Sequence, residues 1–229
     1  MTETMKVHVL NDGYVDLMSN TDQGDLLVVN AARCSFDKEH KELDLVKDTK
    51  LINYLAEHGH VLPFRHPSAT LRIHAPLFVL RQLGKHQVGF SWSEVSRRYV
   101  SSTPTHHLPE PDEWRRSAEN VKQGSADIPV PEDVGKDVWA EADELFDLAD
   151  FVYTKMLQDG VCAEQARMVL PQAMYTTTVT TGTLLGWYNL WKLRTEEHTQ
   201  LETRRYAEAI GFIMDYLFPV SWRALCERS

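Results

Sequence analysis

The sequence predicts an α+β fold, and three observations carry that reading. Apolar and polar residues alternate over 70–74, and in part over 5–18, with the two-residue period of a strand. Apolar residues recur at helical spacing over 42–58 and 137–158. A threonine-rich, β-favouring run stands at 175–182, between helical stretches.

The elements follow in order. The opening segment sets valine and leucine around Asn11-Asp12-Gly13, which reads as strand and turn. Residues 25–32 (DLLVVNAA) are an apolar run of strand or buried-helix type. The helix over 42–58 rests on Leu45, Leu51, Ile52 and Leu55, with Gly59 as its stop. After the strand at 70–74, Pro76 suits the first turn of the helix APLFVLRQLGKH. Gly89 and the serines after it break that helix, and 91–100 reads as extended. Pro104, Pro109, Pro111, Pro129 and Pro131 make 101–135 a long loop or insertion within a single domain of 1–229. The helix over 137–158 carries Ala142, Leu145, Ala149, Val152 and Met156 on one stripe. Residues 184–193 and 196–217 read as further helices, ending before Pro219.

Composition narrows the function classes. The 229 residues are 43% hydrophobic and 25% charged, with a net charge of −9, an ordinary globular balance. No apolar run reaches the ~18–20 residues that span a bilayer. The N-terminus carries acids where a signal peptide has bases and an apolar stretch. A cytoplasmic protein without membrane contact is expected. Cys34, Cys162 and Cys226 suggest neither a disulfide framework nor a zinc ribbon. Residues 110–150 hold 13 acids against four bases, and so account for the whole net charge. Residues 65–98 hold six bases against Glu94 alone. A basic concentration inside an acidic chain suits a small anionic ligand better than nucleic acid.

Two constellations could carry chemistry. If 94–98 is extended, Glu94, Ser96 and Arg98 share one face at about 6.7 Å per step. That face offers an acceptor, a hydroxyl and a guanidinium fork, a set suited to a phosphate. Asn189, Arg194, His198, Glu202 and Arg205 form the second set, with Arg194 and His198 spaced i, i+4 for one helix face. The ten histidines include His58, His60, His66, His74, His106 and His107, none with a zinc-ligand spacing, and no metal is expected. Phosphate-loop, dinucleotide-binding and nucleophile-elbow motifs are absent from the sequence.

The segment APLFVLRQLGKHQVGFSWSEVSRRY resembles the signature of the flavin-dependent thymidylate synthases, an APxFVxRQ helix followed by RHRxxSxNExSxRY. His58-Gly-His60 with Pro63-Phe64, Glu164-Gln165-Ala166-Arg167 with Leu170-Pro171, and Asn189 through Arg194 to Glu202 add to the match in family order. The family's Arg-His-Arg is Lys85-His86-Gln87 here, its Asn is Ser93, and one extra residue separates Gln87 from Glu94.

The resemblance implies a mixed sheet packed with long helices and a homotetramer whose active sites are shared between subunits. It implies reductive methylation of dUMP to dTMP, with methylenetetrahydrofolate as one-carbon donor and FAD, recharged by NADPH, as hydride source. Gln82, Glu94, Ser96, Arg97, Arg98, Arg167 and Arg194 are then the dUMP pocket. His60, Lys85, His86, Gln87, Asn189 and His198 are then the FAD contacts. Arg194 is the implied catalytic group, stabilising charge on the pyrimidine, and Ser96 is assigned to binding. Two alternatives keep the fold: a flavin-type pyrimidine deoxynucleotide hydroxymethylase, and a non-catalytic nucleotide-binding homologue.

Overall fold

A computed structural model describes residues 5–119 and 124–228. Residues 1–4 of the opening segment and Lys122 of the acidic stretch lie outside them. The chain opens with the hairpin β1 (Lys6–Val9) and β2 (Gly13–Asn20), then α1 (Gly24–Arg33) and α2 (Lys47–Glu57). β3 (Ser68–Pro76) runs into α3 (Leu77–Leu83), and β4 (Phe90–Glu94) follows. The 101–135 stretch contains a hairpin of its own, β5 (Arg115–Ser117) and β6 (Ser125–Pro129). Next come α4 (Glu132–Gln158), the short α5 (Ala163–Ala166), β7 (Tyr175–Thr183), α6 (Leu184–Arg194), α7 (Leu201–Leu217) and α8 (Pro219–Glu227).

The α+β class holds. The main sheet has the order β1-β2-β3-β7-β4, and each of its pairings is antiparallel, where the resemblance implied a mixed sheet. Every strand enters running against the neighbour it joins. β7 closes the sheet by pairing with β3 along its whole length, Ser68 against Thr183 through Pro76 against Tyr175.

One face of this sheet is the core. Ala69, Leu71, Ile73 and Ala75 of β3 are buried beside Thr176, Thr178 and Thr180 of β7. Buried hydroxyls need partners. Thr180 accordingly donates to the Thr178 hydroxyl at 3.2 Å. Upon this face lies α6, whose Leu184, Leu185, Trp187, Tyr188 and Leu190 are all buried, so apolar surface surrounds it. Trp187 donates its indole N–H to the Ala69 carbonyl at 3.1 Å, and the Thr183 hydroxyl caps the helix by accepting from Gly186 N. A Cβ at Gly182 would stand 2.4 Å from the Phe90 ring, so only glycine lets that ring pack there.

Two expectations are corrected, one open reading is settled and one helix is added. The open reading at 25–32 resolves as helix α1, with Val28 and Val29 in the core. The extended segment 91–100 ends at Glu94, and Ser96 to Tyr99 form a turn closed by Tyr99 N donating to Ser96 O. The helix expected at 196–217 begins at Leu201, because 195–200 turns back on itself. Helical structure does not stop at Pro219, which instead takes the first position of α8, where its missing N–H costs nothing.

The start of α8 is held by Asp25 from α1. Its buried carboxylate accepts from Val220 N at 3.0 Å and Ser221 N at 2.9 Å, satisfying two donors at a helix N-terminus. Asp25→Ala is expected to cost about 1–2 kcal/mol, lowering the thermal midpoint by roughly 2–8 °C, with Asn retaining part of the stability. An unchanged midpoint by differential scanning calorimetry would contradict the capping role.

Candidate active site

The site is built where the end of α6 meets the end of α3. Arg194, the last residue of α6, reaches back so that Nη2 donates to the Gln82 carbonyl at 2.8 Å and Nε donates to His86 Nε2 at 3.2 Å. A cation at the carbonyl end of a helix is well placed, since the unsatisfied C=O groups there carry partial negative charge. Gln82 in turn donates its side-chain amide to Gln200 Oε1 at 2.7 Å. The 195–200 loop is set by Thr195 Oγ1 donating to Trp191 O at 2.8 Å and by Arg204 Nη2 donating to Glu197 O at 2.9 Å.

These elements enclose a cavity of about 660 Å³ whose lining includes Gln82, Arg194, His198 and Gln200, together with Arg115 and Ser125 from the β5–β6 hairpin. Burial pushes His86 below the ordinary histidine range, and the Arg194 charge adds to it. The neutral ring therefore accepts from Arg194 through Nε2, which places its proton on Nδ1. Burial also lowers Arg194, so its charge is partly desolvated and acts strongly on whatever shares the cavity.

Of the expected residues, Gln82, Arg194 and His198 line this cavity, and His86 adjoins it through Arg194. Arg194 and His198 do not share a helix face, because α6 ends at Arg194 and His198 stands in the loop after it. Lys85 and Gln87 are exposed in the turn beside His86. Asn189 is exposed on α6 outside the cavity lining. His60 is exposed after α2, its ring edge-on to Tyr54.

The remaining expected residues form a second group, around the end of β4. Partial desolvation pushes the Glu94 carboxyl up, and the Arg167 and Arg81 charges pull against it. Arg98 Nε pairs with Glu164 Oε2 at 3.4 Å, and Arg97 donates to the Ser102 carbonyl. Ser96 Oγ accepts from Arg98 N at 3.3 Å, so Ser96 and Arg98 close a turn and do not share a strand face with Glu94. Helix α3 joins the two groups by sequence, with Arg81 acting on Glu94 and Gln82 lining the cavity.

Among the described residues, no group of three or more His, Cys, Asp or Glu is arranged to hold a metal ion. His74 contacts Thr177 Oγ1 at 2.8 Å, His106 the Asp150 carboxylate at 2.9 Å and His107 Asn11 Oδ1 at 3.1 Å. The donor set of the cavity is two guanidiniums, amides and an imidazole. It fits a ligand with a phosphate and a planar hydrogen-bonding ring. Arg115 and Gln200 were not foreseen from the sequence.

Comparison with known proteins points to one family. Residues 16–220 match the family described as thymidylate synthase complementing protein. A flavin-dependent thymidylate synthase of Thermotoga neapolitana is 34% identical over 223 residues, covering 97% of this chain and 95% of that protein. Its counterpart from Kosmotoga olearia is 34% identical over 224 residues, covering 96% and 93%. Among solved structures, the UMP/dUMP methylase PolB from Streptomyces cacaoi, bound with 5-Br dUMP, superposes with a TM-score of 0.84 at 28% identity, covering 96% of this chain and 97% of that one.

The half-buried contact between His86 and Arg194 has a pH signature. Since the folded state disfavours the imidazolium, the unfolded chain takes up that proton first as pH falls past about 6.5, and stability drops toward acid. The His86 ring should titrate below about 6.5 by NMR, and Arg194→Gln should move its midpoint up. A midpoint that Arg194→Gln leaves in place would remove the Arg194 charge as a cause.

Proposed function

The chain belongs to the thymidylate synthase complementing protein family, and from that membership we propose that it converts dUMP to dTMP by reductive methylation. In this reading methylenetetrahydrofolate supplies the one-carbon unit and NADPH the reducing equivalents. The flavin, FAD, supplies a hydride when bound. The convergence of Gln82, Arg194 and His198 on one cavity is the observation that carries the reading. These are residues that the family resemblance ties to the pyrimidine and the flavin, and they come from two stretches of chain more than 100 residues apart.

Arg194 is the proposed catalytic group. Its desolvated guanidinium, held by the Gln82 carbonyl and neutral His86, needs no reorganisation to meet charge developing on the pyrimidine ring. Among the described residues no cysteine lines the cavity, which suits a route without a thiol nucleophile. Lys85, His86, Gln87 and His198 are the proposed flavin contacts nearest to it. Glu94, Ser96, Arg97, Arg98 and Arg167 belong to the dUMP pocket in this reading, while His60 and Asn189 complete a site from another subunit. The proposed assembly is a homotetramer of cytoplasmic location. An apolar stripe on α4, Leu145, Leu148 and Phe151, stands open in the single chain and supports subunit contact.

The test is the product mass from dUMP, methylenetetrahydrofolate, NADPH and FAD, with each component omitted in turn. A methyl gain that disappears without FAD is expected, whereas a hydroxymethyl gain or no gain would overturn the proposal. Arg194→Ala is expected to reduce turnover at least about a hundredfold with the assembly unchanged by size-exclusion chromatography. Undiminished turnover would take Arg194 out of the chemistry.

A further inference from the structure

The β5–β6 hairpin carries none of the motifs behind the family resemblance, yet it supplies a wall of the cavity. Arg115 reaches from β5 to α7, its Nη2 donating to Glu202 Oε1 at 2.8 Å, and its Nε donates to Ser125 Oγ at 2.8 Å. Glu202 is 7% exposed, in the first turn of α7. Burial pushes its carboxyl up, but the Arg115 hydrogen bond and the helix N-terminus outweigh that, so it stays charged and fixes the guanidinium. A guanidinium has five N–H donors, and these two bonds use two of them. Arg115 also lines the adjoining cavities of about 230 and 320 Å³.

Resting on the functional reading above, we infer that Arg115 binds a phosphate group of the nucleotide seated in the cavity, which makes the hairpin part of the site. Arg115 and Arg194 enter the cavity from different elements, and among the described residues Glu196 is the one acid in its lining. The fork of Arg115, fixed on one edge by Ser125 and Glu202, meets an oxyanion with its remaining N–H groups. The phosphate is either the monophosphate of dUMP or the pyrophosphate of FAD. The next residue, Arg116, is exposed and lines none of these three cavities, so it serves as the control.

The experiment titrates dUMP and FAD separately into the wild-type protein and the R115Q, R115K and R116Q variants, following tryptophan fluorescence, with a thermal midpoint for each protein. R115Q and R115K are expected to weaken at least one nucleotide by about tenfold or more, with R116Q leaving both unchanged. Loss confined to dUMP places the monophosphate at Arg115, and loss confined to FAD places the pyrophosphate there. R115K keeps a cation for Glu202, so it reports on binding even where R115Q fails to fold. A lowered midpoint with both affinities unchanged overturns the inference and leaves Arg115 as an anchor of the hairpin. Wild-type protein that binds neither nucleotide overturns the functional reading and this inference with it.

Discussion

The grip of Arg194 on the end of α3 is the contact on which the site depends. A guanidinium carries a long, flexible stem, and a precise site needs it held. Here the hold comes from both sides. Its own helix, α6, is buried around most of its circumference and tied to the sheet by Trp187 and Thr183, so the base of the side chain has little freedom. Its head is fixed by the Gln82 carbonyl and by His86, whose burial keeps the ring neutral and able to accept. Positioning of the guanidinium and desolvation of its charge therefore go together. The packing that buries α6 also desolvates the charge at its end.

The sheet sets where α3 and α6 begin. β3 leads directly into α3, and β7 directly into α6, and these two strands are hydrogen-bonded neighbours over nine residue pairs. Two helices that leave neighbouring antiparallel strands start from opposite ends of the pair. The α3 terminus and the α6 terminus are brought together by side chains rather than by the strands themselves. Arg194 is long enough to bridge them, and Gln82 reaches on to Gln200 in the following loop.

Much of this was legible in the sequence, for local reasons. The alternation at 70–74 and the threonine run of β7 are short-range patterns that the structure keeps, while Pro76 ends β3 just ahead of α3 and does not enter its first turn. What the sequence left open or missed is equally physical. The apolar composition of 25–32 suits helix or strand alike, and only packing decides it. Glu94, Ser96 and Arg98 alternate, but Ser96 uses its hydroxyl and carbonyl to close a turn, which alternation does not report. The i, i+4 spacing of Arg194 and His198 put both in the cavity lining, although by way of a loop and not a helix face. Arg115 was hidden because it lies in the most acidic stretch of the chain, and its partner Glu202 is 87 residues away.

In the proposed function, ligand binds where α3, the 195–200 loop and the β5–β6 hairpin converge. Amide hydrogen exchange on the protein, with and without dUMP and FAD together, tests it directly. Slower exchange in 84–87, 115–117 and 195–200 on adding the nucleotides is expected. Protection confined to other parts of the chain, with those three segments unchanged, would contradict it.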